Sequence, residues 1–379
     1  MQYSKKVDFH SHFLSKTYYE YLDKYEGELP DGFPTPKWSA KSHLDLMDKL
    51  GIAFAFLSVS SPNLSGADKE TECELVRKIN IEGAEIVKEH PDKFGLFASL
   101  PLPHTDRAEI EARFAHDELH ADGFALSTHY AGVYLGDKRY DGLMSYLDSI
   151  GAVIAVHPVK PSALPKGVNM EIPIPAMEFF MDTTRTFTNM VMNDIFSRFP
   201  NIKWIFPHAG AFLSILSDRM SGFSMQFRDS LSTKAPFDFK GDMRHVYFDA
   251  AGFAAEKQLK NLLGDVTGEN IVYGSDAPYT PDPACIAQTG ALENIDYMDE
   301  TDKENMFTLN AVRLVPRLGE ILNIKTLGNT VCYSENELSA KDKANRNFRK
   351  IVSKVYNAVF TVKNKKDRKE IEKKVYALK

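Results

Sequence analysis

The sequence predicts a (β/α)₈ barrel with a helical C-terminal extension, and three observations support this prediction. Eight short apolar runs recur along the chain, helical patterns lie between them, and polar residues follow several of the runs. The runs are residues 7–9, 53–59, 94–100, 123–126, 152–156, 203–206, 245–248 and 270–273. Runs that are apolar throughout are typical of parallel strands buried on both faces. Eight such strands alternating with helices predict a closed barrel or a large doubly wound sheet.

The segments between the runs have the residue spacing of amphipathic helices. These segments are residues 41–50, 68–90, 138–149, 176–198, 211–227, 256–263 and 303–322. No GxGxxG motif or phosphate-binding loop follows any run, which favours the barrel over a nucleotide-binding sheet. Two proline-rich segments, residues 20–40 and 158–175, are expected to be loops after the first and fifth strands. Loops at this end of a barrel usually build the active site.

The overall composition is that of an ordinary globular protein. The chain has 379 residues, a formal net charge of -6, 43% hydrophobic residues and 26% charged residues. Its mild acidity argues against nucleic-acid binding by the whole protein. Three scattered cysteines predict no disulfide framework. We find neither a signal peptide nor an apolar run long enough for a membrane span, and therefore expect a cytoplasmic protein.

The end of the chain differs from the rest in charge. We predict that residues 1–320 form the barrel and that residues 321–379 form a basic extension. Residues 341–379 hold 14 Lys and Arg against 4 Asp and Glu, a net charge of +10, so the remainder carries -16. One predicted apolar stripe on a helix consists of Ile351, Val355, Val359 and Val362. We interpret the extension as a helix packed on the barrel, with a basic tail for an acidic partner as the alternative.

Polar residues with metal-binding chemistry stand at or near the ends of the first, fifth, sixth and eighth runs. His10 and His12 lie two residues apart on a strand, so their side chains point to the same side and can chelate one metal ion. The fifth run is followed by His157, the sixth by His208 and the eighth by Asp276. Because the carboxyl ends of barrel strands share one face, these residues are expected to converge on a metal site.

Three segments of the chain resemble a known family. They are residues 31–62, residues 182–212 and the GSDAPY sequence at residues 274–279. The sequence resembles the decarboxylase branch of the amidohydrolase superfamily, often called amidohydrolase-2 or the aminocarboxymuconate-semialdehyde decarboxylase-like branch. Within that branch it is most similar to the 6-methylsalicylate decarboxylase type. The resemblance covers about residues 6–318, whereas the extension beyond it is unlike the family norm.

The resemblance implies a set of metal ligands: His10, His12, His157 and Asp276. It also implies that His208 lies near a metal-bound water or the substrate. Relatives with two metals bridge them through a lysine after the fourth strand, but residues 123–129 contain no lysine. We therefore expect one divalent ion, with Zn²⁺ preferred for this donor set and Mn²⁺ as the alternative.

The activity implied by the resemblance is non-oxidative decarboxylation of a small aromatic acid, by an enzyme expected to be a homodimer. Asp276, or a metal-bound water positioned by His208, would deliver a proton to the ring. Arg185 is a candidate for binding the substrate carboxylate, with a structural salt bridge as its alternative role. The candidate aromatic walls are Phe13, Phe33, Trp38 and Tyr279. Two other functions remain open, hydrolysis of a lactone or cyclic amide at the same metal and ligand binding without catalysis.

Overall fold

The computed structural model describes residues 5–165, 167, 172–226, 237–327, 330–333, 339–361 and 373. Eight parallel strands form a barrel in which neighbours follow chain order. They are β1 (Lys6–His12), β2 (Ile52–Ser58), β3 (Phe94–Ser99), β4 (Gly123–Ser127), β5 (Val153–His157), β6 (Lys203–Phe206), β7 (Tyr247–Asp249) and β8 (Ile271–Val272). Parallel bridges from Asp8 to Tyr273 and from Ser11 to Ala277 close the seam between β1 and β8. All eight predicted runs overlap these strands, which confirms the predicted barrel.

Helices cover the outside of the barrel and follow its strands. The helices are Lys16–Tyr25, Ala40–Leu50, Lys69–Glu89, Thr105–Asp117, Asp141–Ser149, Glu178–Met192, Ile195–Arg198, Leu213–Gln226, Phe239–His245, Gln258–Leu262, Asp282–Glu293, Glu300–Glu304, Asn310–Leu314, Leu318–Ile321 and Ala340–Thr361, with a π-helical turn at Asn305–Leu309. Short 3₁₀ turns are Pro30–Gly32, Lys138–Tyr140, Ile174–Ala176, His208–Gly210 and Gly268–Asn270. Two antiparallel hairpins pair His129–Tyr130 with Val133–Tyr134, and Ile324–Leu327 with Thr330–Tyr333. No helix in the described part of the chain combines the length and apolarity needed to cross a bilayer.

The first loop prediction is wrong for residues 20–25, which form the second half of the Lys16–Tyr25 helix. The Ser15 side chain caps this helix by accepting a hydrogen bond from the Tyr18 backbone, and its buried face includes Tyr21 and Leu22. The Pro and Gly residues that indicated a loop begin only at Gly27. In the second predicted loop, residues 158–165, 167, 172 and 173 have no helix or strand, and residues 166 and 168–171 lie outside the described residues.

The barrel interior below its mouth is filled by aromatic and aliphatic side chains. Phe9, Phe56 and Phe97 pack together, with ring centroids 4.7 Å apart for the first pair and 4.6 Å for Phe56 and Phe97. Residues that follow β8, including Val312 and Leu318, complete this buried cluster. We call the cluster the barrel floor. The remaining core lies between the strands and the surrounding helices.

The C-terminal extension includes a helix, Ala340–Thr361, which packs on the Asp282–Glu293 helix. The predicted apolar stripe is wrong at Ile351, which is 59% exposed. The helix instead buries Arg349, Val352 and Ser353, because an ion pair with the barrel draws the arginine face inward. The side chains of Val359 and Val362 lie outside the described residues.

Candidate metal centre and substrate pocket

The structure brings the four predicted metal ligands together at the mouth of the barrel. His10, His12 and His157 each place one ring nitrogen within 4.8 Å of the others. The carboxylate Oδ1 of Asp276 lies 3.5 Å from His10 Nε2 and 3.7 Å from His12 Nε2. The two histidines of β1 reach this space because the pairing register between β1 and β2 shifts between Asp8 and Ser11. Such a shift re-aims the side chains that follow it.

The inner nitrogens of the histidines point into one space because their other nitrogens are engaged. His10 Nδ1 contacts Asp249 Oδ2 at 2.8 Å, and His12 Nδ1 contacts Ser58 Oγ at 3.0 Å. His157 Nδ1 lies 2.7 Å from the Pro158 carbonyl oxygen. The second ring nitrogen of His157, Nε2, also lies 3.2 Å from Ser60 Oγ. For His10 and His12 the outward hydrogen bond is the one typical of metal-binding histidines.

The atoms facing this space have the properties of an ion-binding site. His10 Nε2 and His12 Nε2 are buried, and neither has a hydrogen-bond partner among the described residues. Buried polar atoms without partners are costly, so a group that binds them would stabilise the fold. Three imidazole nitrogens and one carboxylate oxygen are a suitable donor set for a single Zn²⁺ or Mn²⁺ ion. The residues present therefore fit the expected metal.

The electrostatics of the ligands also suit a cation. Burial and the neighbouring imidazoles hold the pKa of His157 well below its usual range, so this ring is neutral at pH 7. Burial raises the pKa of the Asp276 carboxyl, but His10 and His12 outweigh this and hold it well below the usual range. Burial lowers the pKa of His10, and the nearby carboxylates of Asp249 and Asp276 raise it further than burial lowers it. The site thus holds acidic groups ready to neutralise positive charge.

Asp249, at the end of β7, is a site residue that the sequence analysis missed. Besides contacting His10, its Oδ1 accepts hydrogen bonds from the backbone nitrogens of His208 and Ala251, at 2.9 and 3.1 Å. One buried carboxylate therefore orients a predicted ligand and the turn that carries His208. The signal was present in the sequence, because Asp249 directly follows the seventh apolar run.

His208 is held tightly beside the ligands in a left-handed turn, with φ of 55°. Its ring centroid lies 5.1 Å from that of His10, and it stacks on Phe180 at 5.5 Å. A Cβ at Gly252 would lie 2.8 Å from His208 Cδ2, so the loop after β7 also fixes the ring. Burial and the nearby His10 lower the pKa of His208 to about 4, which keeps it neutral at pH 7.

A cavity of about 440 Å³ opens above these groups. His157, His208 and Asp276 form part of its lining. Its aromatic lining is Phe33, Phe179, Phe180, Phe253, Tyr279 and Tyr356. Among the described residues that line it, there is no Lys or Arg. The pocket is thus an apolar slot that has histidines and a carboxylate at one end, with a size suited to a small molecule.

Of the five predicted substrate-binding residues, the structure brings Phe33 and Tyr279 to the pocket, where the ring centroid of Tyr279 lies 5.6 Å from that of His12. Phe13 and Trp38 do not reach the cavity, because they pack on each other in the helical layer and Trp38 Nε1 donates to His43 Nδ1. Arg185 also lies outside it. Its side chain is 50% exposed, with Nη1 4.0 Å from Asp182 on the same helix. These three assignments do not match the geometry, because neither spacing nor residue type shows which way a side chain faces.

Comparisons with known proteins agree with this geometry. Residues 7–317 match the family model Amidohydro_2, described as "Amidohydrolase". The chain is 33% identical to "Decarboxylase yanB" of Aspergillus niger, over 82% of this chain and 88% of that protein. It is 29% identical to a "6-methylsalicylic acid decarboxylase" of Penicillium expansum, over 84% of this chain and 98% of that protein. A crystal structure titled as an amidohydrolase II matches with a TM-score of 0.78 at 38% identity, covering 82% of this chain and 100% of that one.

Proposed function

The chain belongs to the Amidohydro_2 amidohydrolase family, and from this premise we propose that it is a metal-dependent, non-oxidative decarboxylase of a small aromatic acid of the salicylate type. One observation carries the proposal. Three histidines and an aspartate converge at one end of an aromatic pocket whose described lining has no cationic side chain. The names of relatives at 29% and 33% identity support decarboxylation. They do not support the alternative, hydrolysis of a lactone or cyclic amide.

We propose that His10, His12, His157 and Asp276 hold the metal. When bound, a divalent ion would supply the positive charge and Lewis acidity that orient a carboxylate and an adjacent hydroxyl group. The absence of Lys and Arg from the described lining supports this role, because an acid in the pocket needs a cation. In this proposal the metal ion, and not Arg185, binds the substrate carboxylate. The donor set suits Zn²⁺ or Mn²⁺, and elemental analysis of the purified protein would distinguish them.

The reaction itself breaks the bond between the ring and the carboxylate carbon. The electron pair of that bond stays on the ring carbon, which takes up a proton, and the carboxylate leaves as CO₂. Asp276 is ionised at rest, so it would first take this proton from solvent and then pass it to the ring carbon. Thr280 Oγ1 donates to Asp276 Oδ2 at 2.7 Å and so fixes the carboxylate while Oδ1 faces the site.

His208 and the aromatic lining complete the proposed mechanism. Neutral His208 can donate or accept one hydrogen bond, and its buried Nδ1 has no partner among the described residues. It can therefore orient a polar group of the substrate without adding charge. Phe179, Phe180 and Tyr279 surround the reacting end with apolar surface. Exclusion of water there disfavours the localised charge of the carboxylate relative to neutral CO₂.

A direct assay tests the proposed function. The metal-analysed protein is incubated with salicylate and 6-methylsalicylate, and both CO₂ and the decarboxylated ring are measured. We expect equal amounts of the two products and loss of turnover after metal removal, with recovery when Zn²⁺ or Mn²⁺ is restored. Turnover of lactones or cyclic amides by the metal-loaded protein, without turnover of any aromatic acid, would contradict the proposal.

The quaternary structure and the domain limits are further parts of the proposal. We propose a homodimer, to be tested by sedimentation, and a domain boundary near residue 320. The family match ends at residue 317, which supports that boundary.

A further inference from the structure

The C-terminal helix reaches the pocket, although it lies beyond the segment that matches the family. Tyr356 lines the same cavity as His157, His208 and Asp276, whereas the family match ends at residue 317. We propose that this helix is a fixed wall of the substrate pocket and that Tyr356 limits the size of ring substituents. The proposal rests on the proposed function, and it assigns the specificity of the barrel partly to a segment outside it.

The helix is anchored by a buried ion-pair network. Arg349 Nη2 lies 2.6 Å from Glu293 Oε1, and Lys6 Nζ of β1 lies 2.9 Å from the same oxygen. Arg349 Nη1 also donates to the Lys49 carbonyl oxygen at 2.8 Å. All three charged side chains are buried, and separating such a pair leaves an uncompensated charge in the interior. The geometry is therefore that of a fixed element rather than a mobile lid.

Backbone contact brings the helix close to the barrel. A Cβ at Gly290 would lie 2.5 Å from the Arg349 carbonyl oxygen, so the two helices touch where the side chain is missing. Val352 and Ser353 are buried one turn further along. Tyr356 follows these residues by four and three positions, which places it on the same helix face. Seating the helix on the barrel therefore also presents Tyr356 to the pocket.

At the pocket, Tyr356 pairs with a residue of the barrel. Its ring stacks on Phe253, with centroids 6.0 Å apart and an interplanar angle of 23°. Phe253 lies in the loop after β7 and is more than half exposed, which puts the pair at the rim. An acid bound through its carboxylate at the ligands would direct the opposite edge of its ring toward the open side of the pocket. Tyr356 and Phe253 would therefore exclude large substituents on that edge.

A second cavity behind the pair explains what removal of the tyrosine ring would do. It measures about 40 Å³, and its lining includes Phe253, Tyr356, Ala287 and Gln288. Phe253 and Tyr356 line both cavities, so the two residues border both spaces. Truncation of Tyr356 would join them and lengthen the pocket.

The test compares Tyr356→Ala with Ile351→Ala, an exposed position on the same helix that lines neither cavity. The probes are salicylate and 4-butylsalicylate, whose chain lies opposite the carboxylate. We expect Tyr356→Ala to raise the ratio of kcat/KM for 4-butylsalicylate over salicylate about 10-fold or more, because pocket size discriminates by this order. Ile351→Ala should leave the ratio within about 2-fold of the parent.

Two further variants and a binding measurement make the test decisive. Tyr356→Phe should retain the parental ratio. Phe253→Ala removes the barrel's ring of the pair and should raise the ratio, and this variant can be tested even if Tyr356→Ala fails to fold. Calorimetry measures the affinity of the metal-loaded protein for both acids. The ratio of the two affinities tests the same discrimination by size where there is no turnover. Absence of decarboxylation would therefore overturn the function but leave the wall testable. An unchanged ratio in folded Tyr356→Ala, whatever Phe253→Ala does, would overturn the proposal, and so would an unchanged ratio in Phe253→Ala if Tyr356→Ala fails to fold.

Discussion

The two ends of the barrel interior are built from the same strands, but one end is stabilised by packing and the other contains features that cost stability. The floor holds the packed rings of Phe9, Phe56 and Phe97, which burial stabilises. The mouth, which begins one residue later at His10, holds buried nitrogens without partners among the described residues and a left-handed backbone at His208 and Asp276. Such features cost stability and are retained where they serve function. Packing at the floor therefore offsets the loss of stability that these features cause at the mouth.

The largest effect is expected at the mouth, from Asp276→Asn. The variant loses the carboxylate charge that faces the cation and carries the proton, so kcat should fall by about 10²–10⁴-fold. Steady-state assays with metal analysis measure this loss. Asp282→Asn, which removes a carboxylate at an exposed ion pair with Lys49, is the control and should keep full activity. A fully active, metal-loaded Asp276→Asn enzyme would refute both proposed roles.

Phe56→Ala is the corresponding change at the floor. It removes a ring packed on both Phe9 and Phe97, so the free energy of unfolding should fall by about 3–5 kcal/mol. The kinetic constants of the folded fraction should stay unchanged. Urea unfolding measures the loss, and Ile110→Ala at an exposed position should change it by less than about 0.5 kcal/mol. A large fall in kcat under conditions where the variant is fully folded would contradict this expectation and would show that the floor and the mouth are coupled.

Asp249→Asn sharpens the comparison within the mouth. It weakens the contact that orients His10 while leaving every proposed ligand in place. Metal affinity should fall about 10–100-fold, as measured by titration against a competing chelator. Circular dichroism of the metal-free protein tests whether the fold is retained, since loss of the buried contact between Asp249 and His10 also lowers its stability. Unchanged metal affinity would show that Asp249 does not orient the ligand.

The smallest effect is expected from Glu72→Gln. Glu72 is buried near the mouth, beside a small cavity that His157 also lines, and burial raises its pKa to about 8. Its folded pKa lies above the unfolded value, so the parent loses stability as the pH rises from about 4.5 to about 8. The variant lacks this loss, so its stability relative to the parent should rise over that interval. Parallel unfolding curves at pH 5 and pH 8 measure it, and a pH-independent difference would contradict the assignment.

The sequence predicted the barrel and the convergence of His10, His12, His157, His208 and Asp276 because both depend on local patterns, whereas the choice of four of them as metal ligands came from the family resemblance. Apolar runs mark parallel strands, and a polar residue at the end of each run is placed by strand direction alone. Asp249 obeyed the same rule and could have been found. Phe13 and Trp38 could not be placed, because whether an aromatic ring faces a pocket or a helix depends on tertiary packing. Tyr356 reaches the pocket through contacts between segments far apart in the chain, among them those of Arg349 with Glu293 and Gly290.

The seam between β1 and β8 has a consequence for the order in which the protein matures. The Asp276 backbone donates to the His10 carbonyl at 2.7 Å, and the Phe9 backbone donates to the Tyr273 carbonyl at 2.9 Å. The seam and the ligand cluster are thus assembled by the same residues. A growing chain on the ribosome presents His10 and His12 early, but it cannot complete their site until the eighth strand has emerged. Metal capture in the complete site is therefore expected to follow barrel closure, and uptake of the ion by nascent chains would report that closure.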